Sequence, residues 1–404
     1  MQLKTHKIQH NINIVLLLSF LFILLFLMGG LNNSSGVLSL IGFLAIGILL
    51  VVSFFTFYIN ITKQKYILKR EKWIHIFSSL FILIYFIGVL NELSMDSIRS
   101  FFQIIMVIFF FWGNTYLSFD NLNKKLIYNS IIFFITINFI WWVVEGLIIP
   151  FKGLLSNPNP FGAFIVFLLG VFWILNNSIV SKSKGLFIIT VIMGLSLIYA
   201  SSARVTFLVI VSAIFTYLLW PIITKRKWFF CCYYLIFVGL IFIITVIYPK
   251  LLNHPLGYRL NQLSWEYTGK NFFSGRQIVW SEMINTIQER PLLGYGASAR
   301  VTDFIAVSHS AHNYYIQMTL QVGLVGSTVF LIFLLVIWNY FYIAKNQKEI
   351  RIVSSLFIGI LIYQLFEVSF TQNNLALALL QWLIIGVGVF YTRKGYIDEY
   401  VRDG

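Results

Sequence analysis

The chain has 404 residues, of which 59% are hydrophobic and 11% charged; a soluble domain carries roughly 25% charged residues, so water cannot be the solvent for most of this surface. The formal charge of +15 raises nucleic acid as a partner, but the basic residues fall in short clusters between apolar blocks, which membrane topology explains better. No nucleic-acid partner is expected.

In chain order, twelve apolar blocks have the length of about 17 to 25 residues that a helix needs to cross roughly 30 Å of hydrocarbon. They begin near Ile12, Val37, Trp73, Ile98, Leu126, Pro160, Gly185, Ala203, Phe229, Asn313, Ile352 and Leu375. The first block follows Lys4 and Lys7 as a secretory signal would, but its apolar core is too long and no small-residue cleavage site follows, so it reads as a retained span. Cys231 and Cys232 sit side by side inside one block, which suits neither a disulfide framework nor a metal site; they read as packing residues.

Alternate connections are basic. Lys63 to Lys72, Lys124 with Lys125, Lys182 with Lys184, Lys225 to Lys227, Lys345 to Arg351, and Arg393 to Arg402 join the two N-terminal lysines, whereas the intervening short connections hold only Arg99 and Lys152. The positive-inside rule then places both termini in the cytoplasm, in agreement with an even number of spans. The fold expected is an all-α integral membrane protein, residues 1–404 forming a single polytopic domain.

One connection differs. Residues 249–311 form a long extracytoplasmic loop carrying Arg259, Arg276, Arg290 and Arg300, and long loops are exempt from the charge rule. Within it, Trp280, Met283, Ile284 and Ile287 recur at helical spacing, Ser274 with Gln277 fits a capping box, and Pro291 stops the pattern. This predicts an amphipathic helix lying on the outer membrane face. PLLGYG follows, with Gly294 and Gly296 favouring a turn.

Few groups can carry chemistry in so apolar a chain. Arg204, in YASSARVTFLV at the outer end of a span, is either a snorkelling arginine or an anion clamp, since guanidinium holds phosphate in a bidentate fork. Arg276, near the start of the loop helix, opposes the helix dipole unless an anion also binds there. His309 and His312 in HSAHNYY share a face if that segment is helical; no cysteine or paired carboxylate completes a metal set. An imidazole can instead take a proton from a hydroxyl, and His312 is the candidate base. Glu145 and Glu367 are the acids deepest in apolar surroundings, and each suits a structural or substrate-hydroxyl hydrogen bond better than ion coupling.

The succession SSARVTF, SGRQIVW, PLLGYG and HNYYIQMTLQVGLVG resembles the O-antigen polymerase and ligase superfamily of bacterial polysaccharide assembly, best from Asn157 to Gly326. The resemblance implies an outward-facing active site in the bacterial cytoplasmic membrane and a glycan donor carried on undecaprenyl diphosphate. It implies that Arg204 and Arg276 hold the diphosphate and that His312 acts on the acceptor hydroxyl. His309, Asn313, Ser202 and Glu367 are supporting candidates; Ala203 separates Ser202 from Arg204, a departure from the family's Ser-Arg pair.

No metal or other cofactor is required by this scheme, and no G-x-x-x-x-G-K-[ST] motif appears, so the energy arrives within the substrate. Partners implied are membrane lipid and a chain-length regulator protein. The motifs fit a polymerase or a ligase; the absence of a helical-repeat domain favours the polymerase for O-antigen, capsule or exopolysaccharide. A flippase of lipid-linked oligosaccharide is the reading from a different class, and would line the bundle midplane with charges and Gly or Pro breaks.

Overall fold

The computed structural model describes residues 37–63, 70–116, 121–155, 157–178, 183–269, 271–307 and 310–402. The block from Ile12 and the residue His309 lie outside the described residues. Most of the described residues are helical, and no strand occurs among them. In chain order the helices are α1 (Val37–Lys63), α2 (Lys72–Asn91), α3 (Met95–Tyr116), α4 (Asn121–Val144), α5 (Pro158–Ser178), α6 (Lys184–Ser201) and α7 (Arg204–Ile223). Then come α8 (Lys227–Lys250), α9 (Pro255–Thr268), α10 (Arg276–Glu289), α11 (Tyr314–Phe341), α12 (Lys348–Gln364) and α13 (Leu375–Arg402).

Among the described residues nine helices are long and apolar enough to cross a membrane. Hydrocarbon offers the backbone no hydrogen bonds, so each crossing segment must satisfy its own amides and carbonyls, which the helix does. Of the other three expected spans, one is the block outside the described residues. The second is α1, a 27-residue helix, and the third is α12, which at 17 residues is shorter than a typical span.

Burial separates centre from rim. The apolar stretch of α13 is 89% buried and that of α5 72%, against 28% for α7, whose outer face is apolar and exposed. At the centre Trp382 of α13 stacks on Phe370, 4.7 Å between centroids, and on Phe333 of α11, 5.8 Å. The side chain of Cys232 is exposed on α8, and that of Cys231 is half-buried, so they contribute little to the packing expected of them.

The basic connections gather at one end of the bundle. Arg393 donates from Nε to Glu71 Oε2 at 3.0 Å and from Nη1 to the Thr115 carbonyl at 2.8 Å, tying α13 to the starts and ends of α2 and α3. Lys345 Nζ donates to the Thr224 carbonyl at 2.9 Å, and Arg351 donates twice to the Tyr217 carbonyl. Arg393 is buried and Lys345 and Arg351 half-buried, and each is paired or hydrogen-bonded, as the cost of desolvation requires.

The long loop is more structured than its sequence suggests. It begins later than expected, because α8 runs through Pro249 to Lys250, and it contains two helices, α9 and α10. The expected Ser274 capping box does not form: the N-cap of α10 is Gly275, at φ 86°, with no side-chain cap. Nor does α10 present its apolar face to lipid. Val279, Trp280 and Met283 are buried against α8 and α11, because the bundle end offers an apolar surface that a helix this short can cover.

Beyond α10, PLLGYG crosses a break in α11. Gly323 sits at φ 65°, ψ −171°, a conformation that is essentially glycine-only, and interrupts the helix. The crossing segment supplies the missing partners: Tyr295 and Gly296 amides donate to the Leu320 and Gln321 carbonyls at 2.9 and 3.1 Å. The amides of Leu324 and Val325 donate in turn to the Pro291 and Leu292 carbonyls at 2.7 and 3.2 Å. A Cβ on Gly323 would lie 2.2 Å from the Leu292 oxygen. Gly323→Ala is therefore expected to destabilise the protein by at least about 1–3 kcal/mol from backbone strain alone, measured as a lower thermal unfolding midpoint in detergent; an unchanged midpoint would show that the strap is not fixed to the break.

Candidate active site

Four short stretches converge at the end of the bundle opposite the basic connections. The first is the turn between α6 and α7. Ser201 closes α6 with its hydroxyl on the Ile198 carbonyl at 2.7 Å, and Ser202 adopts the left-handed conformation at φ 53°. Ala203 is the N-cap of the next helix, without a side-chain cap, so Arg204 becomes the first residue of α7. The two-residue break thus places an exposed guanidinium at a helix start, and its Nη1 donates to the Asn271 carbonyl at 3.2 Å. Ser202 serves as a backbone hinge in this arrangement.

The second stretch is the start of α10, whose first residue is Arg276 and whose N-cap, Gly275, likewise offers no side-chain oxygen. Arg204 and Arg276 line one cavity of about 470 Å³. Ser274 lines it beside them, and much of its wall is hydrocarbon, from Val205 and Leu208 of α7 and from Ile243, Ile244 and Ile247 of α8. The cavity therefore has a cationic mouth and an apolar flank on the same side as the exposed face of α7.

Third is the approach to α11. The helix begins only at Tyr314, so His312 precedes it and the shared helical face expected for His309 and His312 does not arise at His312. His312 takes φ 46°, uncommon for a residue with a Cβ. Asn313 fixes this turn as the N-cap: its Oδ1 accepts from the amides of Tyr315 and Ile316 at 3.0 and 3.2 Å, and its Nδ2 donates to Thr245 Oγ1 at 3.3 Å. Trp280 Nε1 donates to the Ala311 carbonyl at 2.8 Å, pinning α10 beside the same turn.

Fourth is Glu367, just past the end of α12. Its Oε2 lies 3.1 Å from His312 Nδ1, and its Oε1 lies 3.5 Å from Arg276 Nη2. One carboxylate, 14% exposed, thereby joins a residue of the loop helix to the residue before α11. With the Nδ1 proton directed at Glu367, the ring's basic lone pair is on Nε2. Glu145, by contrast, stands apart at an exposed helix end, accepting from Trp141 Nε1 at 2.7 Å.

Of the sequence candidates, Arg204 and Arg276 meet in one cavity, and Arg276, His312 and Glu367 meet through the carboxylate. Asn313 is a cap that shapes the His312 turn, and Ser202 a hinge. Residues 188–331 match the protein family described as O-antigen ligase. That match supports the O-antigen polymerase/ligase superfamily and, with the apolar helices, a multi-pass membrane enzyme of that type. The matched stretch holds Arg204, Arg276 and His312 and stops before Glu367. No curated protein matches the chain closely enough to serve as a relative.

Sequence reasoning did not anticipate the Trp280 clamp or the double engagement of Glu367. The indole left only its helical spacing as a signal, and the carboxylate only its apolar surroundings. Asn313→Ala removes a cap worth about 1 kcal/mol and frees the backbone that holds His312. A modest drop in the unfolding midpoint, accompanied by a much larger drop in activity, is expected; full activity would detach the His312 turn from function.

Proposed function

We propose that the chain is a polysaccharide polymerase that transfers a growing glycan from undecaprenyl diphosphate onto a lipid-linked repeat unit at the outer face of the cytoplasmic membrane. The carrying observation is the shared cavity of Arg204 and Arg276, each the first residue of a helix that lacks a side-chain cap. A helix start carries partial positive charge and unpaired amides, and an arginine there adds to the same sign. Two such ends facing one space favour a doubly charged anion, and the hydrocarbon wall beside them suits the prenyl chain attached to it.

The reaction follows from these placements. The acceptor hydroxyl gives its proton to His312 Nε2 while its oxygen attacks the anomeric carbon of the donor. The bond from that carbon to the diphosphate oxygen breaks, and its electron pair leaves with the undecaprenyl diphosphate. Arg204 and Arg276 stabilise the charge that grows on the departing group, in the manner of preorganised donors. Glu367 holds the imidazole in the tautomer that accepts the proton and stabilises the imidazolium formed. Arginines and helix ends supply the positive charge that a metal would otherwise bring, and the diphosphate is already a competent leaving group, so no cofactor is invoked.

The same geometry serves a ligase that passes the finished glycan to a terminal acceptor, which is the activity in the matched family's description. Polysaccharide length separates the two. In cells lacking the chromosomal copy, with membrane levels matched to wild type, His312→Ala is expected to lose roughly 10²–10⁴-fold in rate and to leave single repeat units in place of a ladder on a gel. Full-length chains missing only from their final acceptor would establish the ligase, and an unchanged ladder would remove His312 from the mechanism. Arg204→Lys keeps the charge and loses the fork; a strongly shortened ladder is expected, and a normal one would exclude bidentate diphosphate binding.

A further inference from the structure

Tyr363, on the last turn of α12, is 1% exposed, and among the described residues its hydroxyl has no hydrogen-bond partner. Buried hydroxyls are nearly always paired, and an orphan is a standing cost to the folded protein. Its surroundings show where a partner would come from. The Glu367 amide donates to the Tyr363 carbonyl at 3.1 Å, so the backbone carries one turn past Gln364 and stacks Glu367 above Tyr363 on one face. The ring is held edge-on to Phe167, 5.9 Å between centroids, and the hydroxyl lies within electrostatic reach of both Glu367 and Arg276.

The proposed function makes a demand on this corner, and the inference rests on that reading. Arg276 Nη2 faces Glu367 Oε1 at 3.5 Å. A diphosphate drawing Arg276 away would leave that oxygen charged, largely buried and short of a donor, which low-dielectric surroundings penalise heavily. We propose that Tyr363 is a positioning residue: when Arg276 turns to the diphosphate, the Tyr363 hydroxyl donates to the vacated Glu367 oxygen, and Glu367 keeps its hold on His312 Nδ1. The cost of the orphan in the empty protein is recovered when donor binds, so the hydroxyl favours the loaded state without touching the substrate.

The test is a double-mutant cycle on the full-length protein in nanodiscs, with sugar-free undecaprenyl diphosphate as the binding probe. Tyr363→Phe should leave the unfolding midpoint of the empty protein unchanged or raised, because only an unpaired hydroxyl is deleted. It should weaken undecaprenyl diphosphate binding about tenfold, and in a Glu367→Gln background, where no carboxylate needs a donor, it should weaken binding no further. Equal affinity of Tyr363→Phe and wild type overturns the proposal. So does an equal loss in both backgrounds, which would mean that Tyr363 acts without Glu367, and so does a lowered midpoint, which would mean that the hydroxyl is bonded in the empty protein. A wild type that does not bind undecaprenyl diphosphate at all overturns the proposed function itself, and the inference with it.

Discussion

An arginine at the first residue of a helix adds its charge to backbone amides that already lack acceptors and to the positive end of the helix dipole. Evolution of a surface helix toward stability would put Asp, Ser or Thr there, and yet α7 and α10 begin with Arg204 and Arg276, without side-chain caps, on the rim of the same cavity. The mutual repulsion of these groups is partly offset by the Asn271 carbonyl and the Glu367 carboxylate. The anion binding proposed for this cavity would relieve it. The rest of the bundle can be understood as the frame that holds these two helix starts against each other.

Holding them requires that a loop helix be fixed as firmly as a span. α10 is attached to α8 and α11 by a buried apolar face, at its start by Trp280 on the Ala311 carbonyl, and at its far end by the strap that runs across the Gly323 break. The break gives the strap its backbone partners. A continuous α11 would spend those carbonyls and amides on itself and leave PLLGYG to lie loose. The position of Arg276 therefore depends on a glycine 47 residues away in sequence, through hydrogen bonds that only a non-helical φ makes available.

Most spans were legible because a length of apolar sequence is decisive in hydrocarbon; Arg204 stood out as a charge at the end of a span, Arg276 as a cation at the start of a loop helix, and His312 as an imidazole just before a span. Three features were not. Glu367 joins partners 55 and 91 residues away, a pairing that no local pattern encodes. The Ser274 capping box matched in spelling but lost to Gly275, whose left-handed conformation makes it the N-cap. α9 went unread although Leu256, Leu260, Leu263 and Tyr267 recur at helical spacing; its start is set by the His254 side chain accepting the Leu256 amide at 3.1 Å, a cap that histidine seldom signals.

The distribution of charge along the bundle bears on what kind of machine this is. A carrier that moves a charged head group through the membrane needs polar groups or a helix break that open at mid-depth. Here the centre holds stacked rings, Trp382 between Phe370 and Phe333, all of them buried. Moving a diphosphate past them would require several close-packed aromatics to be displaced together, each a large loss of buried area. The break at Gly323 lies toward the Arg276 end, where the strap closes it, so it opens no path through the centre. The ionised groups instead collect in two separate layers, Glu71 with Arg393 at one end and Arg276 with Glu367 at the other. Among the described residues, stacked aromatics near the centre and the Arg276, His312 and Glu367 cluster at one end favour the proposed group transfer on one face over passage of a head group through the bundle.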